Sequence, residues 1–159
     1  MYRVEERDLT EQPTLVTRAR LRIPDIRGWI GPAFGRVTAA IQAAGSAPSA
    51  PPFARFDTVD DRLDIFDVEA GFPVLFPVPL AFPTTSQDVQ AATLPGGPAA
   101  VCVHVGPYDE LAPAYDALEK WVADHGGRVA GAPWENYLSE PVGDPSTWMT
   151  EVVLPYRLG

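Results

Sequence analysis

Pro133-Trp134-Glu135-Asn136-Tyr137 reads as a second copy of Pro52-Phe53-Ala54-Arg55-Phe56, at an offset of 81 residues that carries Phe53 to Trp134 and Phe56 to Tyr137. The two pentapeptides agree in a proline, an aromatic residue beside it and a second aromatic three positions on. They differ most where Glu135 stands in place of Ala54. The same offset extends upstream. Ile30, Phe34, Val37 and Ile41 recur as Leu111, Tyr115, Leu118 and Val122, the one-sided spacing of an amphipathic helix, and Pro32 and Gly45 recur as Pro113 and Gly126. One further residue in the second copy brings Glu69 and Pro73 opposite Glu151 and Pro155. Two copies are too few for a solenoid, so the pattern predicts two pseudo-symmetric halves, about residues 3–73 and 85–158, within a single domain over 1–159.

Each half reads as β-α-β-β. Thr14 to Ile23 alternates Leu15, Thr17, Ala19, Leu21 and Ile23 with Arg18, Arg20 and Arg22, a half-buried strand with its arginines in solvent. A helix capped by Asp25 follows to about Ala44, and short strands are expected at Phe53–Phe56 and Leu63–Glu69. A proline-rich connector, Gly71 to Pro83, leads to Gln87–Leu94 and Ala99–Val105, which look like a hairpin about Pro95-Gly96-Gly97-Pro98. A helix from about Asp109 to His125 and strands at Trp134–Leu138 and Thr150–Leu158 complete the second half. Pro32 and Pro113 fall early in their helices, which leaves the helix starts open, because an interior proline clashes with the carbonyl four residues back.

Composition sets bounds on function. With 46% hydrophobic and 10% aromatic residues in 159, the chain can bury one sizeable core. A net charge of −9 argues against a nucleic-acid surface, which needs clustered cations. Cys102 is the only cysteine, so neither an intramolecular disulfide nor a zinc-type cysteine cluster can form. Two histidines give a metal site little support, and no cofactor fingerprint or nucleophile motif is present. Residues 1–10 are charged and lack a signal peptide's apolar stretch, and no segment is apolar enough to span a bilayer, so a cytoplasmic location is the default expectation.

The motifs Val103-His104-Val105-Gly106-Pro107-Tyr108 before a helix, Trp121 near its end, Pro133-Trp134-Glu135-Asn136-Tyr137 with Pro141, and Thr150-Glu151 through Pro155 resemble the GyrI-like small-molecule-binding domain. The same domain forms the effector-binding part of AraC-type and MerR-type multidrug regulators. The resemblance covers essentially the whole chain. It implies an α+β, SOUL-like fold of two pseudo-symmetric β-α-β-β halves with antiparallel sheets, helices packed on the sheets and a ligand cleft between the halves. It also implies a buried glutamate in an aromatic pocket, here Glu135. No DNA-binding segment is apparent in this sequence, so stand-alone action or a separate partner is expected in preference to direct transcriptional control.

Residue chemistry supports the same choice. In a strand over 134–138, Glu135 and Tyr137 share a face that carries Ala54 and Phe56 in the first copy. A carboxylate among aromatic rings suits planar, hydrophobic or cationic ligands such as antibiotics, through stacking, cation–π attraction and a buried ion pair. The ligand-binding candidates are Glu135, Tyr137, Trp134, Tyr108, Trp121 and Phe56. The bland alternatives are that Glu135 pairs with an arginine or points to water, and that Trp121 and Tyr115 are core. His104, opposite Ile23 at the 81-residue offset, reads as a hydrogen-bonded structural histidine. Some stand-alone relatives are implicated as hydrolases of cyclopropane-containing antibiotics. That resemblance gives a second reading, with Glu135 as general base and Tyr108 or Tyr137 as proton donor. A third, inhibition of DNA gyrase by protein contact, is carried by the family name alone, and neither gyrase nor a regulator has a signature in the sequence.

Overall fold

A computed structural model describes residues 2–78 and 88–159. The elements in chain order are β1 (Glu5–Leu9), β2 (Gln12–Arg22), α1 (Ile23–Ala43), β3 (Phe53–Asp60), β4 (Ile65–Pro73), β5 (Val89–Leu94), β6 (Gly97–Val105), α2 (Ala112–Asp124), β7 (Gly127–Val129), β8 (Trp134–Tyr137) and β9 (Met149–Leu158). They form two compact units: a first unit over Glu11–Pro95, and a second that joins Met1–Thr10 to Gly96–Gly159.

In the first unit the antiparallel strands run in the order β3-β4-β2-β5. The arginines of β2 are exposed as the alternation predicts, and Arg18 and Arg20 pair with Glu69 and Asp67 on the neighbouring strand. The opposite face of β2 carries Leu15, which packs with Val37, Ala40 and Ile41 of α1 and with Val74 and Val89. Helix α1 starts at Ile23, with Pro24 in its first turn, three residues before the start expected from an Asp25 cap. Asp25 lies in the first turn, where its charge complements the helix dipole. The helix ends in a Schellman arrangement: Gly45 takes φ +73°, and the amides of Gly45 and Ser46 bond to the carbonyls of Gln42 and Ile41.

The second unit repeats this order as β1-β6-β9-β8, with β7 added against the end of β9. Its core sets Leu111, Ala114, Leu118 and Val122 against Ala100, Cys102, Val152, Leu154 and Tyr156. The registers establish the repeat. Phe53 faces Gly71 and Arg55 faces Glu69, while Trp134 faces Val153 and Asn136 faces Glu151.

The expected hairpin about Pro95–Pro98 does not form. Strand β5 pairs with β2, and β6 pairs with β1. Strand β1, in a stretch to which the sequence pattern assigns no element, fills in the second unit the place that β5 fills in the first. The 81-residue offset also fails for the strand before each helix. Thr14 faces Pro73 and Ala99 faces Pro155, so β2 and β6 are related by 85 residues, and His104 corresponds to Ala19 rather than to Ile23. The four additional residues of the first copy are taken up by the N-terminal part of α1. Pro32 is therefore inside α1, whereas Pro113 is the second residue of α2 and a 3-10 turn, Tyr108–Glu110, precedes that helix. Of the connector Gly71–Pro83, residues 79–83 lie outside the described residues, as does Gln87. Among the described residues no helix is long and apolar enough to cross a membrane.

Candidate functional site

Strand alternation puts Glu135 and Tyr137 of β8 on the face that carries α2, since Glu135 faces Val152 of the α2 core. Glu135 is 7% exposed. The Tyr115 hydroxyl, from the first turn of α2, donates to its Oε2 at 2.5 Å, and the Tyr137 hydroxyl donates to its Oε1 at 2.9 Å. Among the described residues no lysine or arginine forms an ion pair with it.

Burial raises the Glu135 pKa, while the two phenol donors and the nearby His104 act against that rise. Both phenols lie well above the ordinary tyrosine range, first through burial and then through the adjacent carboxylate, so they stay protonated and serve as donors. Tyr108 is raised by the same two causes. Its ring meets Tyr137 edge-on at 5.5 Å and Trp148 at 5.0 Å, which extends the aromatic surround of the carboxylate.

The turn that carries Tyr108 is held by His104. This buried imidazole lies 3.0 Å through Nε2 from the carbonyl of Pro107 and 2.7 Å through Nδ1 from the hydroxyl of Tyr2. A carbonyl only accepts, so Nε2 carries the proton, and in the neutral ring Nδ1 accepts from Tyr2. Gly106 is required at this turn. Its φ is +144°, a Cβ there would come within 3.2 Å of His104 Nε2, and its amide donates to the carbonyl of Trp148.

Trp134 and Trp121 fall outside this cluster. Trp134 is buried on the opposite face of β8, across from Val153. Trp121 lies six residues beyond Tyr115, about 9 Å along the helix, where it stacks on His125 and packs edge-on against Tyr156. Phe56 belongs to the first unit, on β3, with Phe66 edge-on at 6.5 Å. Glu151 accepts from Arg7 of β1 and Asn136 of β8, and Glu69 accepts from Arg18 of β2, so each of the matched glutamates has an arginine partner, drawn from strands that are not equivalent in the two units. Burial pushes the Cys102 thiol up to about 11, away from thiolate chemistry.

Tyr115, Tyr2 and Trp148 were not among the residues selected from sequence. For Tyr115 a signal existed. Phe34, Ala54 and Phe56 of the first copy become Tyr115, Glu135 and Tyr137 in the second, so the carboxylate and both its donors arise together at apolar positions.

Comparison with known proteins gives one family. The model of the GyrI-like small molecule binding domain matches residues 3–157. The fold is similar to that of the EcmrR C-terminal domain, at 23% identity over 100% of this chain and 99% of that one, with a TM-score of 0.82. It is similar to a hydrolase from Listeria innocua (18% identity, 97% and 91% covered, TM-score 0.73). It is also similar to SAV2435 bound to tetraphenylphosphonium (10% identity, 99% and 94% covered, TM-score 0.62). The search of curated proteins finds no match. With a family model that spans nearly its whole length, the chain belongs to the GyrI-like small-molecule-binding domain family.

Proposed function

We propose that residues 1–159 act as one domain that captures hydrophobic, planar or cationic small molecules, antibiotic-like in character, with Glu135 as the charge anchor and Tyr108, Tyr137 and Trp148 as the aromatic surround. The observation that carries this reading is a buried carboxylate engaged by phenol hydroxyls, with no cationic side chain paired to it among the described residues. Such a group leaves room for a ligand's positive charge, and burial strengthens the attraction. Tetraphenylphosphonium, the ligand named with SAV2435, is a suitable probe. Calorimetric titration should show binding by the native protein and about 30-fold weaker binding by Glu135→Gln, in line with the roughly 2 kcal/mol or more lost when one partner of a buried charge pair is removed. Equal affinities would overturn the anchor role.

One observation favours a second reading, hydrolysis of cyclopropanoid compounds. A carboxylate with a raised pKa stands beside protonated phenols, a base next to acids. Glu135 would take a proton from water as the water oxygen attacks a ring carbon. The breaking C–C bond would send its electrons into a conjugated carbonyl, and Tyr108 or Tyr137 would donate to the oxygen that becomes negative. Product analysis by mass spectrometry tests this reading. Glu135→Gln should lower turnover by about 10²- to 10⁴-fold, and a native protein that binds such compounds and returns them unchanged is a binder only.

A further inference from the structure

Across the second unit, His104, Thr150 and Tyr137 stand directly opposite one another on β6, β9 and β8. The corresponding row of the first unit is Ala19, Val68 and Phe56 on β2, β4 and β3. Every apolar member of that row has become a hydrogen-bonding residue in the copy that holds Glu135. Two of the three groups are accounted for: His104 by Tyr2 and Pro107, Tyr137 by Glu135. The third is not. Thr150 is 0% exposed, and its hydroxyl has no hydrogen-bond partner among the described residues. A buried hydroxyl left in that state is destabilising, and valine would fill the same shape without the penalty, as Val68 does in the matching place.

We propose that Thr150 holds an ordered water beside Glu135, accepting from the threonine hydroxyl and donating to the carboxylate. Thr150 and Glu135 lie on adjacent strands and on one face, diagonal neighbours about 7–8 Å apart in such ladders, a span that one bridging molecule closes. The carboxylate has the capacity: each oxygen takes one phenol donor, and about four lone-pair sites are present in all. Buried waters sit where polar groups converge in this way. Thr14, the other threonine with an unpartnered hydroxyl, lacks such a setting, since its partners across the ladder are Pro73 and Ala92. In the hydrolytic reading this water occupies the place from which Glu135 would draw a proton, but the site itself stands whatever ligand the domain takes.

The test uses the ligand-free protein, so failure to bind any ligand leaves it intact. Thermal unfolding of the native chain is compared with Thr150→Val and Thr150→Ser, together with a crystal structure of the native chain at a resolution that defines ordered waters. The expected results are a water within hydrogen-bond distance of both Thr150 Oγ1 and Glu135, a midpoint about 2–4 °C lower for Thr150→Val, and a Thr150→Ser protein that keeps the water. A dry Thr150, a hydroxyl bonded to protein alone, or a Thr150→Val midpoint equal to or above native overturns the proposal.

Discussion

The Tyr115 hydroxyl lies 2.5 Å from Oε2 of Glu135, and the two residues stand where the first copy of the repeat has Phe34 and Ala54. Two positions that are apolar in one unit thus carry a charge-assisted hydrogen bond between helix and strand in the other. Tyr115 ties α2 to β8 and acts on the carboxylate's proton affinity, so its role is wider than the packing its helical position indicates.

Tyr115→Phe should keep the fold, because phenylalanine occupies the equivalent position in α1. It should lower unfolding free energy by about 1.5–3 kcal/mol at pH values where Glu135 is charged, the range for a hydrogen bond to an ionised group. Tyr137→Phe should act in the same direction through Oε1. Urea denaturation of each variant at neutral pH checks both, and a change below about 0.5 kcal/mol in either would show that its donor is replaceable.

The pH dependence has a definite sign. Glu135 in the folded protein holds its proton to higher pH than the ordinary value of 4.5, so between those two values the folded state binds more protons than the unfolded one. Its contribution to stability is full below the unfolded value and is lost as pH rises through the folded one. The midpoint difference between native protein and Glu135→Gln, which cancels the exposed carboxylates common to both, should therefore move against the native protein as pH rises from 4.5, then level off. A difference that moves the other way would mean that the phenol donors and His104 outweigh burial.

His104 should be found as the Nε2–H tautomer, which ¹⁵N chemical shifts of the imidazole report directly. Tyr2→Phe should leave Nδ1 without its donor and cost about 1–3 kcal/mol in urea, with a loosened 107–110 turn visible in amide exchange. A predominant Nδ1–H tautomer would contradict the arrangement at Pro107.

Gly106→Ala adds a Cβ close to His104 at a backbone angle that other residues rarely adopt. The expected cost is about 1–3 kcal/mol, together with weaker ligand capture through displacement of Tyr108. Urea denaturation and tetraphenylphosphonium titration on the same sample separate the two effects.

What could be read from sequence was what is local. The helical stripe from Ile30 to Ile41 and its copy, the strand alternation of 17–22 and the Phe53/Trp134 correspondence each rest on short stretches of chain, and each is present in the fold, while residues 14–17 are buried on both faces. Strand β1 was not legible because Glu5-Glu6-Arg7-Asp8 has no apolar alternation. It is held by backbone pairing to β6, a partner that side-chain pattern does not name. Pro95-Gly96-Gly97-Pro98 has the composition of a hairpin turn, yet there the chain passes from one unit to the other. At the site, Glu135 declared itself as a charge among aromatics. Tyr115 did not, because a phenol on a helical stripe has the periodicity of a core phenylalanine, and its difference from Phe34 becomes informative only beside Ala54 and Glu135.

The pairing of β1 with β6 bears on how the chain matures during synthesis. Glu11–Pro95 is continuous, so the first unit can close its ladder once β5 has been made. The second unit cannot, because Glu5 must wait for Val101 and the sheet is complete only when β9 follows. The earliest strand of this sequence thus has no partner until the chain of a whole further unit has been made, and its run of charged side chains suits that wait, since charged, non-alternating strands resist pairing with other nascent chains.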